Sequence, residues 1–247
     1  MSTFRRRVEI VSSVGAQGND GEVRAALEDD FHHFRVCLLH EHGQLKGITG
    51  QALRFPYSAC PEAIDPLREL IGMALSPIAH SVTRQTDAQH QCTHLLDLAG
   101  LAVAAALRPA QTRRYDIQVP MRVEGRTRPV LQLNGQVMLE WSTHGPIIEG
   151  PEPFTGINIR EGMARWALST LPPDIAEAAL LLRRCTMISI GKTHNLDSQS
   201  HASSTDRCYS QQTARAPQAL RIKGSTWDVV SNDVLCAADR EWLAGRV

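Results

Sequence analysis

Asp29-Asp30-Phe31-His32-His33 sets two carboxylates beside two imidazoles, and Cys92-Thr93-His94 sets a thiol beside a third imidazole. Cys60, followed by Pro61, lies between the two stretches. Carboxylate, imidazole and thiolate are the side chains that bind zinc or ferrous iron. All of these residues fall where secondary-structure elements are expected to begin or end, so the fold can bring them to one point.

The pattern sharpens their roles. If Phe31 to His40 is a strand, alternate side chains share a face. Asp30, His32, Phe34, Val36 and Leu38 then lie on the apolar face, and His33 lies on the other with Phe31 and Arg35. A carboxylate and an imidazole turned inward need a partner, because burying them unpaired is costly. A metal ion is one such partner; Arg54 or Arg68 is another. Cys60 stands near the N-cap of a helix predicted over Pro61 to Met73, where the helix dipole favours thiolate. Cys92 and His94 open the next helix and, two apart, do not share a helical face; an open first turn would let both reach one ion. The expected metal ligands are Asp30, His32, Cys60 and Cys92, holding one divalent metal, Zn or Fe. His33 and His94 are the expected general acid or base, or further ligands. The bland alternative makes the same residues core and caps, as is expected of Cys37 and Cys185.

Glu22 to Leu27 reads as a short helix or turn, followed by a hairpin of two strands, Phe31–His40 and Leu45–Phe55, turning at His42-Gly43. Ser76 to Gln89 reads as loop, and Cys92 to Leu107 as an apolar helix stopped by Pro109. Tyr115–Val123, Pro129–Leu133 and Gln136–Trp141 read as a strand meander, with Asn134-Gly135 a strong hairpin signal. Gly145 to Gly156 reads as loop. Asn158–Ser169 and Asp174–Ile188 are predicted helices, Leu196 to Thr205 is Ser- and His-rich and reads as a mobile segment, and Val234 to Ala244 is a short terminal helix. The expected class is α+β: an N-terminal antiparallel hairpin with helices, residues 1–110, and a C-terminal strand meander with helices, residues 111–247, packed into one unit.

Composition narrows the function. The 247 residues carry zero formal net charge and a pI of about 7.1, which argues against nucleic acid as a partner. Arg5-Arg6-Arg7 is a small basic cluster that reads as a solvated strand edge. No apolar run reaches the roughly 18 residues of a membrane span, and no signal peptide is evident. The expectation is a cytoplasmic protein with its six cysteines reduced. Its partner is expected to be a small-molecule substrate, and a homodimer is compatible with the sequence.

Two resemblances add to this. Glu28-Asp29-Asp30-Phe31-His32-His33, Cys60-Pro61, Cys92-Thr93-His94-Leu95, Glu177-Ala178-Ala179, Leu182-Arg183-Arg184, Cys208-Tyr209 and Gly224-Ser225-Thr226 resemble the landmarks of an uncharacterised bacterial domain-of-unknown-function family, which implies no activity. Residues 25–107 also distantly resemble the NifU/IscU-type iron–sulfur scaffold family. That resemblance implies that Asp30, Cys60 and Cys92 match scaffold ligands, while Glu28 and Gln91 stand where a cysteine and a histidine are expected. A mixed set of Asp, His and Cys suits one Zn²⁺ or Fe²⁺ better than a cluster. The leading expectation is therefore a metal-dependent lyase or hydrolase acting on a small organic substrate, an aromatic one being compatible. The alternatives are a non-enzymatic zinc or iron–sulfur carrier, and a metal-free Cys/His enzyme using Cys60 as nucleophile.

Overall fold

A computed structural model describes residues 3–14, 20–109 and 111–245. The chain opens with β1 (Phe4–Val14), β2 (Asp20–Asp29), β3 (His33–Glu41) and β4 (Gln44–Arg54), followed by α1 (Thr93–Ala105). Next come β5 (Thr112–Val119), β6 (Arg126–Thr127), β7 (Val130–Leu133), β8 (Gln136–Glu140), β9 (Ser142–His144) and β10 (Ile147–Gly150). The helices α2 (Met163–Thr170), α3 (Pro173–Ile188) and α4 (Arg240–Leu243) complete the set, with short 3₁₀ turns between. Seven strands form one antiparallel sheet in the order β4-β3-β2-β1-β5-β7-β8, and β10-β9-β6 form a small second sheet. The class is α+β.

The expected boundary near residue 110 falls inside that large sheet, because β1 pairs with β2 on one side and with β5 on the other. The solvated-edge reading of Arg5-Arg6-Arg7 is corrected by the same fact. β1 is the central strand, and Arg6 and Arg7 are buried. Glu22–Leu27 is also corrected: it is strand, not helix or turn. Its Glu, Arg, Ala and Leu residues favour helix locally, but pairing along both edges, to β1 and to β3, prevails.

Both hairpin signals hold. His42-Gly43 and Asn134-Gly135 carry positive φ at both central positions, as the tight turn between twisted strands requires. Part of the expected Gly145–Gly156 loop is strand β10. Part of the expected Ser76–Gln89 loop is 3₁₀ turn over Ala79–Arg84. The Leu196–Thr205 segment is tied down by backbone hydrogen bonds from Ala202 to Ala219 and from Arg221 to Ser200.

α1 is apolar around nearly its whole circumference and is buried accordingly. It lies on the face presented by Phe4, Val8, Ile10, Val23, Leu27 and Phe34, and α3 covers the β5-β7-β8 part of the sheet. The 3₁₀ turn at Ala79–Arg84 presses on the outside of α1 at Gly100, where an added Cβ would meet the Ala79 carbonyl oxygen at 2.3 Å. Gly100→Ala is therefore expected to destabilise the protein by about 1–3 kcal/mol, although alanine is the better helix former. Equal or higher stability in urea titration would refute this contact. The opposite face of the sheet is covered by the C-terminal segment, whose Cys236 and Leu243 pack on Ala26.

Candidate functional site

The interior charge begins with a cross-strand pair. Arg6 on β1 lies directly opposite Asp29 on β2, on the α1 side of the sheet. The Arg6 guanidinium donates two hydrogen bonds to Asp29 Oδ2, through Nε at 2.9 Å and through Nη2. Beyond Asp29 the chain reverses over Asp30-Phe31, and Asp29 Oδ1 accepts the Phe31 and His32 backbone N–H groups, both at 2.7 Å. This is a local Asx-type turn. Asp29 Oδ1 also lies 3.1 Å from His32 Nδ1. In the tautomer that donates from Nδ1 to this carboxylate, the lone pair of His32 lies on Nε2.

His94, in the first turn of α1, stacks on His32 with ring centroids 3.9 Å apart. It is 8% exposed, and its Nε2 has no hydrogen-bond partner. Phe34 flanks both imidazoles, and Phe31 meets His32 edge-on. One ligand atom from each of Asp29, His32 and His94 lies within 4.8 Å of the others.

Electrostatics separate the three. Burial alone would raise the Asp29 pKa, but Arg6 and then His32 overcome it and hold the carboxyl well below the usual range. Burial, followed by the charges of His32 and Arg6, holds His94 well below an ordinary histidine, so its ring is neutral. A neutral imidazole is the form that binds a metal.

Strand parity placed Asp30 with His32, but β3 begins only at His33, and the bend at Asp30-Phe31 resets the alternation. Asp29, not Asp30, therefore meets His32. Asp30 turns away and accepts from Lys192 Nζ at 3.0 Å and from the Arg5 and Val229 backbone N–H groups at 2.9 Å. His33 lies on the other face of the sheet, as the alternation predicts, between Asp239 at 2.9 Å and Glu28 at 3.5 Å.

Neither Cys60 nor Cys92 shares the Asp29–His32–His94 group. Cys60 does precede a helical turn, Pro61–Leu70, but it is of 3₁₀ type. Its thiol sits in a separate small cluster, 3.2 Å from Ser210 Oγ, and burial pushes its pKa up to about 11. Burial raises Cys92 further still. Desolvation outweighs the helix terminus at both positions, so neither is poised as a thiolate.

Glu28, Cys236 and Asp239 form a second group of ligand-type atoms, on the opposite face. Its carboxylates are already engaged. Asp239 accepts from Arg35 at 2.6 Å and contacts His33, while Glu28 accepts from Arg54 at 3.3 Å and from the Cys236 backbone N–H at 2.7 Å. This network fastens the C-terminal segment to the sheet.

Arg6 and Asp29 join this cluster although neither is among the residues expected as ligands. The signal was present: Phe4, Arg6, Val8 and Ile10 alternate onto one face, and an arginine on an apolar strand face demands a buried carboxylate.

Among the described residues no helix is long and apolar enough to cross a membrane. No curated protein and no solved structure matches the chain. The landmarks after residue 108 lie beyond the span of any match, but the N-terminal ones are covered: over residues 12–108 the chain matches the family described as Protein of unknown function (DUF2889), an uncharacterised domain-of-unknown-function family.

Proposed function

We propose that the chain is a metal-dependent enzyme of hydrolase or lyase type, with one Zn²⁺ or Fe²⁺ held by His32 and His94 and acting on a small organic molecule. The observation that carries this reading is the buried His94 Nε2, which has no partner and stands against a carboxylate-oriented His32. The donor set fits a divalent ion: two imidazoles, one of them fixed by a carboxylate, in the arrangement common around bound zinc. Asp29 already accepts five N–H donors, so its role is to orient His32 and to offset positive charge. Two protein ligands, one fewer than the three of a typical catalytic zinc site, would leave positions for water or substrate, unlike a closed structural site. The bound metal would supply Lewis acidity or an activated water. Without a poised thiolate, neither cluster building nor nucleophilic Cys60 is favoured.

The test is titration of chelator-treated protein with Zn²⁺ and, anaerobically, with Fe²⁺. One equivalent is expected to bind, and His94→Gln is expected to abolish that binding while the protein stays folded. No binding, or unchanged binding in the variant, would sink the reading. A second reading rests on Arg6, whose guanidinium already neutralises Asp29. The Asp29–His32 pair would then work without metal as a general base. It predicts turnover that a chelator leaves unaffected.

A further inference from the structure

A second feature lies one helical turn along α1 from His94. Asp97 and Leu101, on α1, line a cleft of about 100 Å³ closed by α2, α3 and the turn at Ala79–Arg84. Its walls include Val82, Leu101, Leu168 and Leu181, and its polar end is formed by His80, Asp97, Arg183 and Arg184.

The charges at that end do not balance. Arg184 and Asp97 satisfy each other in a two-pronged pair at 2.7 and 3.1 Å. Arg183 has only neutral acceptors, the backbone carbonyls of Ile159 and Arg160. Among the described residues no carboxylate lies within salt-bridge distance of it. Burial, then the neighbouring Arg184, push its pKa down, so its cation is held at a cost. Burial likewise lowers the pKa of His80, which favours its neutral form, and an imidazole supplies no negative charge in any case. Glu177 also lines the cleft, but Tyr115 and Arg108 engage both of its oxygens, and Arg113 stands 3.6 Å away.

We propose that this cleft binds a small apolar molecule ending in one carboxylate, its body among the leucines and its head on Arg183. A guanidinium matches a carboxylate in geometry as well as in charge. The volume is on the scale of the cavities of roughly 150 Å³ that take up a single benzene ring, so the body is a short alkyl chain or one ring. The proposal stands independently of any metal at His32 and His94.

Hexanoate, 1-hexanol and hexylamine separate head from body. In an NMR titration of the 247-residue chain at low salt, hexanoate is expected to bind at least tenfold more tightly than 1-hexanol, with hexylamine weaker than both. Arg183→Gln is expected to bring hexanoate down to the level of 1-hexanol. Ala164→Leu, which adds bulk to the α2 wall, is expected to weaken both, with the thermal midpoint of each variant confirming the fold. Equal affinity for hexanoate and 1-hexanol would overturn the proposal. So would absent binding at millimolar concentration, or unchanged hexanoate affinity in folded Arg183→Gln.

Discussion

Asp29→Ala is expected to cost about 3–5 kcal/mol of stability, the range for stripping one partner from a buried ion pair. That is a large share of the roughly 5–15 kcal/mol that holds a typical domain together. The size follows from what remains. Arg6 is 1% exposed at the centre of the sheet and would lose its counter-charge, while the turn N–H groups of Phe31 and His32 would lose their acceptor. Replacing both partners, with Arg6→Met and Asp29→Leu together, is expected to recover most of the loss, because the desolvated charge leaves with its partner. Urea titration of both single variants and the double measures this. A loss under 1 kcal/mol for Asp29→Ala would show that the pair is not the anchor described here. The pH dependence has a definite sign. The Asp29 carboxyl titrates lower folded than unfolded. Its contribution is therefore complete at neutral pH and is lost as pH falls below about 4, the unfolded aspartate value.

His94→Phe keeps an aromatic ring and removes the nitrogens. Metal affinity is expected to fall by more than the roughly 10–100-fold that loss of an outer carboxylate typically costs. In chelated, metal-free buffer the same variant is expected to be no less stable than the wild type. It deletes a buried nitrogen left without a partner, and such a group typically costs about 1–3 kcal/mol. The histidine pKa is depressed by folding, so protons favour the unfolded chain. Wild-type stability should then begin to fall as pH drops below about 6.5, well above the Asp29 limb. In His94→Phe that upper limb should flatten while the lower one stays. A variant that is much less stable and keeps the upper limb would show that His94 is held by contacts other than those described.

The sequence made some of this legible and hid the rest for physical reasons. The α+β class, the apolar helix and both tight turns follow from local chemistry, because periodicity and glycine at positive φ are local signals. The proximity of His32 and His94 was legible as a neighbourhood near the acidic pair, and strand alternation set His33 on the other face from His32. The error of one residue between Asp30 and Asp29 came from extending a strand through a two-residue reversal, and parity is unforgiving of such a slip. Cys60 and Cys92 misled because residue type shows metal-binding chemistry, whereas solvation, which sets thiolate character, is a property of the packed fold. Arg6 was overlooked because a basic run at a chain start reads as solvated, and only the β1–β5 pairing shows it to be central.

That pairing also bears on how the molecule assembles in time. β1 is translated well before β5, and Phe4 waits for Val119 before the second edge of the strand is covered. Until β5 emerges, the nascent β1–β4 ladder exposes the unpaired N–H and C=O groups of β1 in the middle of the future sheet. Such long-range closure slows folding. The matched span of residues 12–108 enters β1 near its end and stops short of β5. It holds both imidazoles and Asp29 but not Arg6, so a chain cut to those residues would carry the site without its counter-charge or its closing strand. The unit that sequence comparison delimits is thus smaller than the unit that can fold around it.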